Sequence, residues 1–322
     1  MLVRTVILPS AFAAISETPS VFYRVVITLL ESLAKNGLIL IDEQEYIQKF
    51  LLAEIDKWPQ KYRKEAKVAL KRLNEKNRFV KVSIKNESVL NCAKKPCYHC
   101  IEIALNYCPT AVITRQECYL CATQHLAMAN TVKVVDVVED SISDFFPSDY
   151  FLGKGEWTQQ EFEQKILIPL LRDAKDIKIY DRFIGRSILT NNAAKYQLTL
   201  GWIIEVFLRE RGSRFKGVFE VYGGVGIGIL KKEIPIAVDQ LRNLENELKK
   251  KYPNFQLIIK KETSKSQMLH DRFLITNQVA VSLGRGFNLL YGSNPRCVQD
   301  VSIAYCSEPG KIEQAVRNLP DL

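Results

Sequence analysis

No apolar run in this 322-residue chain approaches the roughly 20 residues that a helix needs to cross a bilayer. The longest stretches, Val25–Leu30 and Ile166–Leu171, are short and are interrupted or bounded by polar residues or by Pro169, so a soluble or peripheral protein is expected. A convincing secretory leader is also missing. Met1–Ala14 has an Arg and a small-residue run, but the apolar segment Thr5–Leu8 is too brief and Pro9 stops it. A strand followed by a loop explains it, and the expected location is cytoplasmic. The chain contains no internal repeat and no low-complexity tract. Its cysteines are not scattered as a disulfide framework would scatter them: six of eight, with two of three histidines, fall between Cys92 and His125. Such clustering points to metal.

The composition, 47% hydrophobic and 25% charged with 10% aromatics, is that of a folding globular protein. The length suits two α/β domains. A net charge of +9 favours partners that carry phosphate, either nucleic acid or anionic phospholipid. One expected helical region, Glu43–Asn77 with a break near Trp58-Pro59, concentrates Lys57, Lys61, Arg63, Lys64, Lys67, Lys71, Arg72 and Lys76. A solvated face explains this charge, and so does phosphate contact.

Hydrophobic periodicity gives an N-terminal α/β domain over residues 1–135. Its elements are a strand at Val3–Leu8, a helix at Ser20–Lys35, a strand at Gly37–Ile41, the helical region above and a strand at Arg78–Ile84. Inserted in it, residues 92–125 hold Cys97-x2-Cys100 and Cys118-x2-Cys121, 17 residues apart. That spacing matches a four-cysteine structural zinc site. Cys92, His99, Cys108 and His125 are possible extra ligands. A polar stretch, 136–157, reads as a linker. A second domain, 158–322, opens with Thr158 and Glu161 spaced as a capping box and alternates strands at Ile177–Phe183, Gly217–Val221 and Phe255–Lys260 with helices at Asn192–Arg211 and Pro235–Lys251. Two strands, Phe273–Thr276 and Val279–Leu283, follow around an Asn277-Gln278 turn.

The chemistry concentrates just before that turn. Strand alternation puts His270 and Arg272 on one face and Phe273 and Ile275 on the other. An imidazole beside a guanidinium suits a phosphodiester: the cation holds the non-bridging oxygens while the imidazole attacks phosphorus or transfers a proton. Gly284 and Gly286, flanking Arg285, would let backbone approach the same anion, with Asn288 as a further donor.

His270-x-Arg272-x4-Asn277, then six residues and Gly284, with Asn288 beyond, resembles the His-x-Lys-x4-Asp…Gly…Asn motif of the phospholipase D superfamily. The Leu-His-Asp-Arg and Gly-Arg-Gly-Phe-Asn wording is similar to the phospholipase D-like domain of MIT-domain proteins and their bacterial relatives. There, a strand like Ile179-Tyr180-Asp181-Arg182-Phe183 begins the fold. The resemblance covers roughly Trp157–Leu322. It implies a phospholipase D-like α/β domain with His270, Arg272, Asn277 and Asn288 as catalytic residues, and with Gly284, Arg285, Gly286 and Asp181 at the phosphate. It needs no metal for the chemistry. The motif departs from the family in Arg272 for Lys and Asn277 for Asp. It also occurs once, whereas the family reaction uses two histidines, which implies a homodimer.

The expected activity is therefore phosphodiester cleavage, with a nuclease in bacterial defence or nucleic-acid processing as the setting. The alternative is a non-catalytic module that binds phospholipid or nucleic acid through the same pocket, as members of the MIT-associated branch are thought to do. The N-terminal unit is in turn similar to PIN-like nuclease domains, except that Pro9-Ser10 follows Val6-Ile7-Leu8 where those domains place an Asp.

Overall fold

The computed structural model describes residues 2–13, 19–84, 95–115, 131–134, 136, 149–153, 155–211, 218–263, 268–284, 286–287, 289, 300–306 and 309–322. The protein is mixed α/β and divides into two compact units, Met1–Pro147 and Ser148–Leu322. The division falls inside the stretch expected as a linker.

The N-terminal unit is built on five parallel strands: β1 (Val3–Ile7), β2 (Gly37–Asp42), β3 (Phe79–Val82), β4 (Ala111–Thr114) and β5 (Thr131–Lys133), in the order β3-β2-β1-β4-β5. Every residue of β1 and β2 is buried, as near-continuous apolar runs require when helices cover both faces of a parallel sheet. Among the described residues, four helices supply that cover: α1 (Pro19–Asn36), α2 (Tyr46–Asp56), α3 (Gln60–Glu75) and α4 (Lys95–Tyr107). The expected break at Trp58-Pro59 separates α2 from α3, because proline cannot donate the next helical hydrogen bond. Trp58 turns into the core there, and its indole N–H donates to the Phe12 carbonyl at 2.9 Å. Asp42, buried at the end of β2, accepts the Tyr46 and Ile47 amides, both at 2.8 Å, and so satisfies two orphan donors of the first turn of α2.

The C-terminal unit is a seven-stranded mixed sheet of β6 (Asp149–Leu152), β7 (Ile177–Asp181), β8 (Phe219–Val225), β9 (Phe255–Lys261), β10 (Arg272–Thr276), β11 (Ala280–Leu283) and β12 (Val301–Cys306). The order is β6-β12-β11-β10-β7-β8-β9, with β7, β8 and β9 parallel and the other pairings antiparallel. Residues 149–152, expected within the linker, instead form the edge strand β6, paired to β12.

Helix α5 starts at Thr158, where the reciprocal capping box is present. It runs as Gln159–Phe162, a π-helical turn Glu163–Leu167 and Ile168–Leu171. The wide turn precedes Pro169, whose ring and missing N–H disturb the ordinary ladder. Helix α6 begins earlier than the pattern suggests, as Ile184–Ser187, passes through a second π-helical turn Ile188–Asn192 and continues as Ala193–Arg211. Helices α7 (Ile234–Lys251) and α8 (Pro309–Arg317) follow.

Side-chain alternation splits the sheet cleanly. Ile177, Ile179, Phe219 and Val221 gather with Leu200, Ile203 and Ile204 of α6. On the other face Tyr180, Tyr222, Phe273 and Ile275 pack with Ile312 and Val316 of α8. Phe273 and Ile275 thus face the core as their alternation requires, leaving Arg272 on the α6 face.

Candidate phosphodiester site at the carboxyl edge of the C-terminal sheet

Parallel β7, β8 and β9 end along one edge of the sheet, and antiparallel β10 begins there, since Phe273 is level with Tyr180. β11 returns to the same edge, with Leu283 opposite Arg272. The chain therefore delivers Asp181, Arg182 and Phe183, Glu262, His270 and Arg272, and the Gly284–Phe287 loop to one place. Carboxyl ends of parallel strands are where open α/β sheets place ligands.

Asp181 organises this edge from within. Its carboxylate is fully buried and accepts the Tyr196 hydroxyl at 2.8 Å, the Phe183 amide at 3.0 Å and the Phe287 amide at 3.3 Å. Arg272 Nε lies 3.6 Å away. Burial is the largest influence and raises the Asp181 carboxyl above its ordinary value, against the lowering by Arg272 and the three hydrogen bonds. Gly286 (φ +96°) completes the packing. A Cβ there would stand 3.0 Å from Asp181 Oδ2 and 3.2 Å from Arg272 Nε, and L-residues rarely adopt that φ.

Above this buried layer lie Phe183 and Arg272, both mostly covered, and His270, which is exposed. The His270 side chain is 76% exposed, and its ring meets the edge of Phe183 at a centroid distance of 5.2 Å. The Arg272 guanidinium stacks over the same phenyl ring, 4.4 Å from its centroid, within the range of a cation–π contact. Its Nη1 donates to the Gly284 carbonyl at 2.8 Å. Phe183 therefore forms the floor that carries both the imidazole and the cation.

A second buried ion pair braces the approach to His270. Glu262, just after β9, holds Arg182 Nε at 2.8 Å and accepts the Met268 amide at 2.7 Å. Burial raises the Glu262 carboxyl above its ordinary value despite both partners. Gly226 (φ +139°) allows the close pass of β8, since a Cβ there would meet the Glu262 carbonyl at 2.3 Å.

His270 precedes β10 and is not itself in the strand, and it comes near Arg272 because both lie against the Phe183 ring. Asn277 does not join them: it lies past the far end of β10, where its Oδ1 accepts the Lys175 amide at 2.7 Å. The glycine loop also differs from expectation. Its Gly284 and Gly286 amides donate to Ser302 and Leu283 carbonyls, and Asp181 takes the Phe287 amide, so these donors turn into the protein instead of toward an anion. Asp181 likewise holds the loop from below, with its carboxylate buried. Arg285 and Asn288 lie outside the described residues.

Sequence reasoning missed Phe183 as the floor, and it missed Tyr196 and Glu262 altogether. Phe183 follows Asp181 in the strand that carried the family resemblance, which was a usable signal. Nothing marked the other two.

In the N-terminal unit, Cys97 and Cys100 are one helical turn apart on α4, where a short metal-binding knuckle was expected. Both are buried, and the Cys100 thiol donates to the Ile7 carbonyl at 3.4 Å. Burial pushes the Cys100 thiol well above its ordinary range. His99 meets the Tyr46 ring edge-on, and Cys108 is exposed at the end of α4. Cys92, Cys118, Cys121 and His125 lie outside the described residues. Among the described residues, no three His, Cys, Asp or Glu side chains assemble a metal site, and no helix is long and apolar enough to cross a membrane.

A scan against protein-family models gives no match, and a search of curated proteins gives none either.

Proposed function

We propose that the C-terminal unit handles phosphodiesters in the manner of the phospholipase D superfamily, and that the protein is a cytoplasmic nuclease acting through His270 in a homodimer. One observation carries the reading: an exposed imidazole and a guanidinium share the Phe183 ring at the carboxyl edge of the sheet. In this scheme an imidazole nitrogen of His270 attacks phosphorus and the P–O bond to the leaving alcohol breaks. The partner subunit's His270 donates a proton to the departing oxygen. Water activated by the same partner group then cleaves the P–N bond and restores the free imidazole. Arg272 offsets the charge that grows on the non-bridging oxygens. The net charge of +9 favours nucleic acid as the substrate class.

Cleavage of labelled DNA or RNA by the full chain and by His270→Ala tests this. Loss of cleavage in the variant, together with sedimentation as a dimer, supports the scheme. Undiminished cleavage by His270→Ala, or cleavage by a strict monomer, excludes it.

A second reading is favoured by the company Arg272 keeps. Its Nη1 serves Gly284, its plane lies on Phe183 and Asp181 stands beside Nε, while Asn277 serves Lys175 at the far end of the strand. With the cation so engaged, the same edge would bind a phosphate headgroup or nucleic acid without cutting it. Liposome flotation and a nuclease assay on one preparation separate the readings.

A further inference from the structure

We infer that the outer face of α3 docks the N-terminal unit onto the phosphate backbone of duplex DNA, across the major groove. The inner face of α3 is fixed by Ala66, Ala69, Leu70 and Leu73, all buried. At roughly 100° per residue, the remaining arc carries Arg63 and Lys67 on one flank, Lys64 and Lys71 in the middle, and Lys61 and Arg72 on the other flank. Only Glu65 and Glu75 oppose them on the helix itself. Around Val68, the surface formed by Gln60, Arg63, Lys64, Lys67 and Lys71 is open to solvent.

The local counter-charges leave this surface cationic. Asp56 pairs with Lys67, Glu75 approaches Lys71 at 3.6 Å, and Glu65 is turned away to Arg24. All these pairs are solvent-exposed, where such contacts are worth little and exchange readily for a phosphate. Lys64 and Arg72 make no ion pair among the described residues.

Three features select the partner. An anionic membrane would call for bulky apolar side chains between the cations, and Val68 is the only apolar residue on the exposed arc. A single strand is held largely by stacking on exposed aromatics, and this arc offers none, since Tyr62 is only half-exposed and lies under Arg24. A convex helix with cations on both flanks matches the B-form major groove, about 12 Å wide, in which it meets a phosphate backbone on either side; the A-form groove is too narrow.

The surface lies in a different unit from His270, so the inference stands apart from the nuclease reading. The experiment uses the full chain with His270→Ala, so that bound DNA stays intact, and follows anisotropy of a labelled 20-base-pair duplex across a salt series. Arg63→Gln, Lys64→Gln, Lys67→Gln and Lys71→Gln together are expected to weaken binding by more than about tenfold. They should also make the log–log salt slope shallower by about 3 to 4, close to one for each phosphate that is no longer neutralised. The control removes the same charge elsewhere, with Gln at Lys231, Lys232, Lys249 and Lys250. Circular dichroism checks that both variants fold. An equal loss in the control, an unchanged slope in the α3 variant, or α3-dependent binding that is tighter to RNA duplex, single strands or phosphatidylserine vesicles would each overturn the assignment.

Discussion

Replacing Arg78 by Met should leave the N-terminal unit at least as stable as it is now, although a charged side chain and its hydrogen bond are removed. Arg78 is fully buried beside β3. Its Nη2 donates to the Lys35 carbonyl at the end of α1, at 2.9 Å, whereas Nε and Nη1 have no hydrogen-bond partner among the described residues. Burial alone pushes the guanidinium down to about 10 from an ordinary value above about 12. That drop corresponds to about 3 kcal/mol of disfavoured charge, at about 1.4 kcal/mol per tenfold change in proton affinity. Against it stand one hydrogen bond, worth about 1 kcal/mol, and the favourable C-terminal end of α1, worth roughly 0.5 kcal/mol. Methionine fills similar volume with no charge to desolvate, so the balance favours Arg78→Met by about 1 to 2 kcal/mol.

Arg78→Ala makes the same polar change but leaves a cavity costing about 2 to 4 kcal/mol, so it should end below wild type. Because the folded state binds the Arg78 proton more weakly than the unfolded state does, wild type gains stability relative to Arg78→Met as pH rises from about 10. Native-state hydrogen exchange in the full chain provides the assay. The Ile39 amide, which donates to the Arg78 carbonyl, is a suitable reporter. A Met variant losing more than about 1 kcal/mol would refute the argument that desolvation outweighs the bond.

Four further outcomes follow from the two units. Gly286→Ala places a methyl against Asp181 and Arg272 at a positive φ and should cost about 1 to 3 kcal/mol, read as a lowered urea midpoint; an unchanged midpoint would mean the loop is not held as described. Asp181 and Glu262 bind their protons more tightly folded than unfolded. Their contributions are therefore fully present below about pH 4 and are lost as pH rises through the raised folded values. Asp181→Asn should accordingly gain on wild type as pH rises through that range, and parallel urea midpoints at every pH would count against the buried-carboxylate account. Finally, Cys97 and Cys100 should resist a thiol reagent until the chain unfolds, since both are buried. Zinc analysis of the full chain tests the four-cysteine proposal, with one equivalent that disappears in Cys118→Ser supporting it and zinc-free protein refuting it.

Much of the fold was legible because its signals are local. The Thr158–Glu161 capping box is a contact between residues three apart, and Trp58-Pro59 marks a break that proline imposes wherever it stands. The full burial of β1 and β2 follows from runs with no polar alternation. What stayed hidden depends on distant pairing. Asp149–Leu152 is four residues long, and its reason to be a strand is β12, some 150 residues later. The early start of α6 rests on a π-helical turn, which has no sequence period to reveal it.

At the candidate site the same boundary separates what a pattern fixes from what it leaves open. His270 precedes β10 and meets Arg272 over Phe183, and alternation fixes only the face of Arg272, because successive side chains on a strand point to opposite sides. It does not determine whether the cation is available. That depends on Asp181, 91 positions earlier in the chain, and on a glycine loop whose carbonyl turns toward the guanidinium. Arg272 therefore serves first as a strut between the sheet edge and the loop, and any share in holding phosphate is through what it has left to offer. Among the described residues His270 has no such obligations: its polar and ring contacts there are Phe183 and a distant Asp271 carboxylate, 3.9 Å away. Arg272→Lys should discriminate between these duties. Lysine keeps the charge but loses the planar fork that spans Gly284 and Asp181, so a strut would show as a stability decrease of about 1 to 3 kcal/mol. A phosphate ligand would show as weakened substrate binding at unchanged stability. If stability and binding both survive the change, neither duty belongs to Arg272, and the imidazole stands alone at this edge.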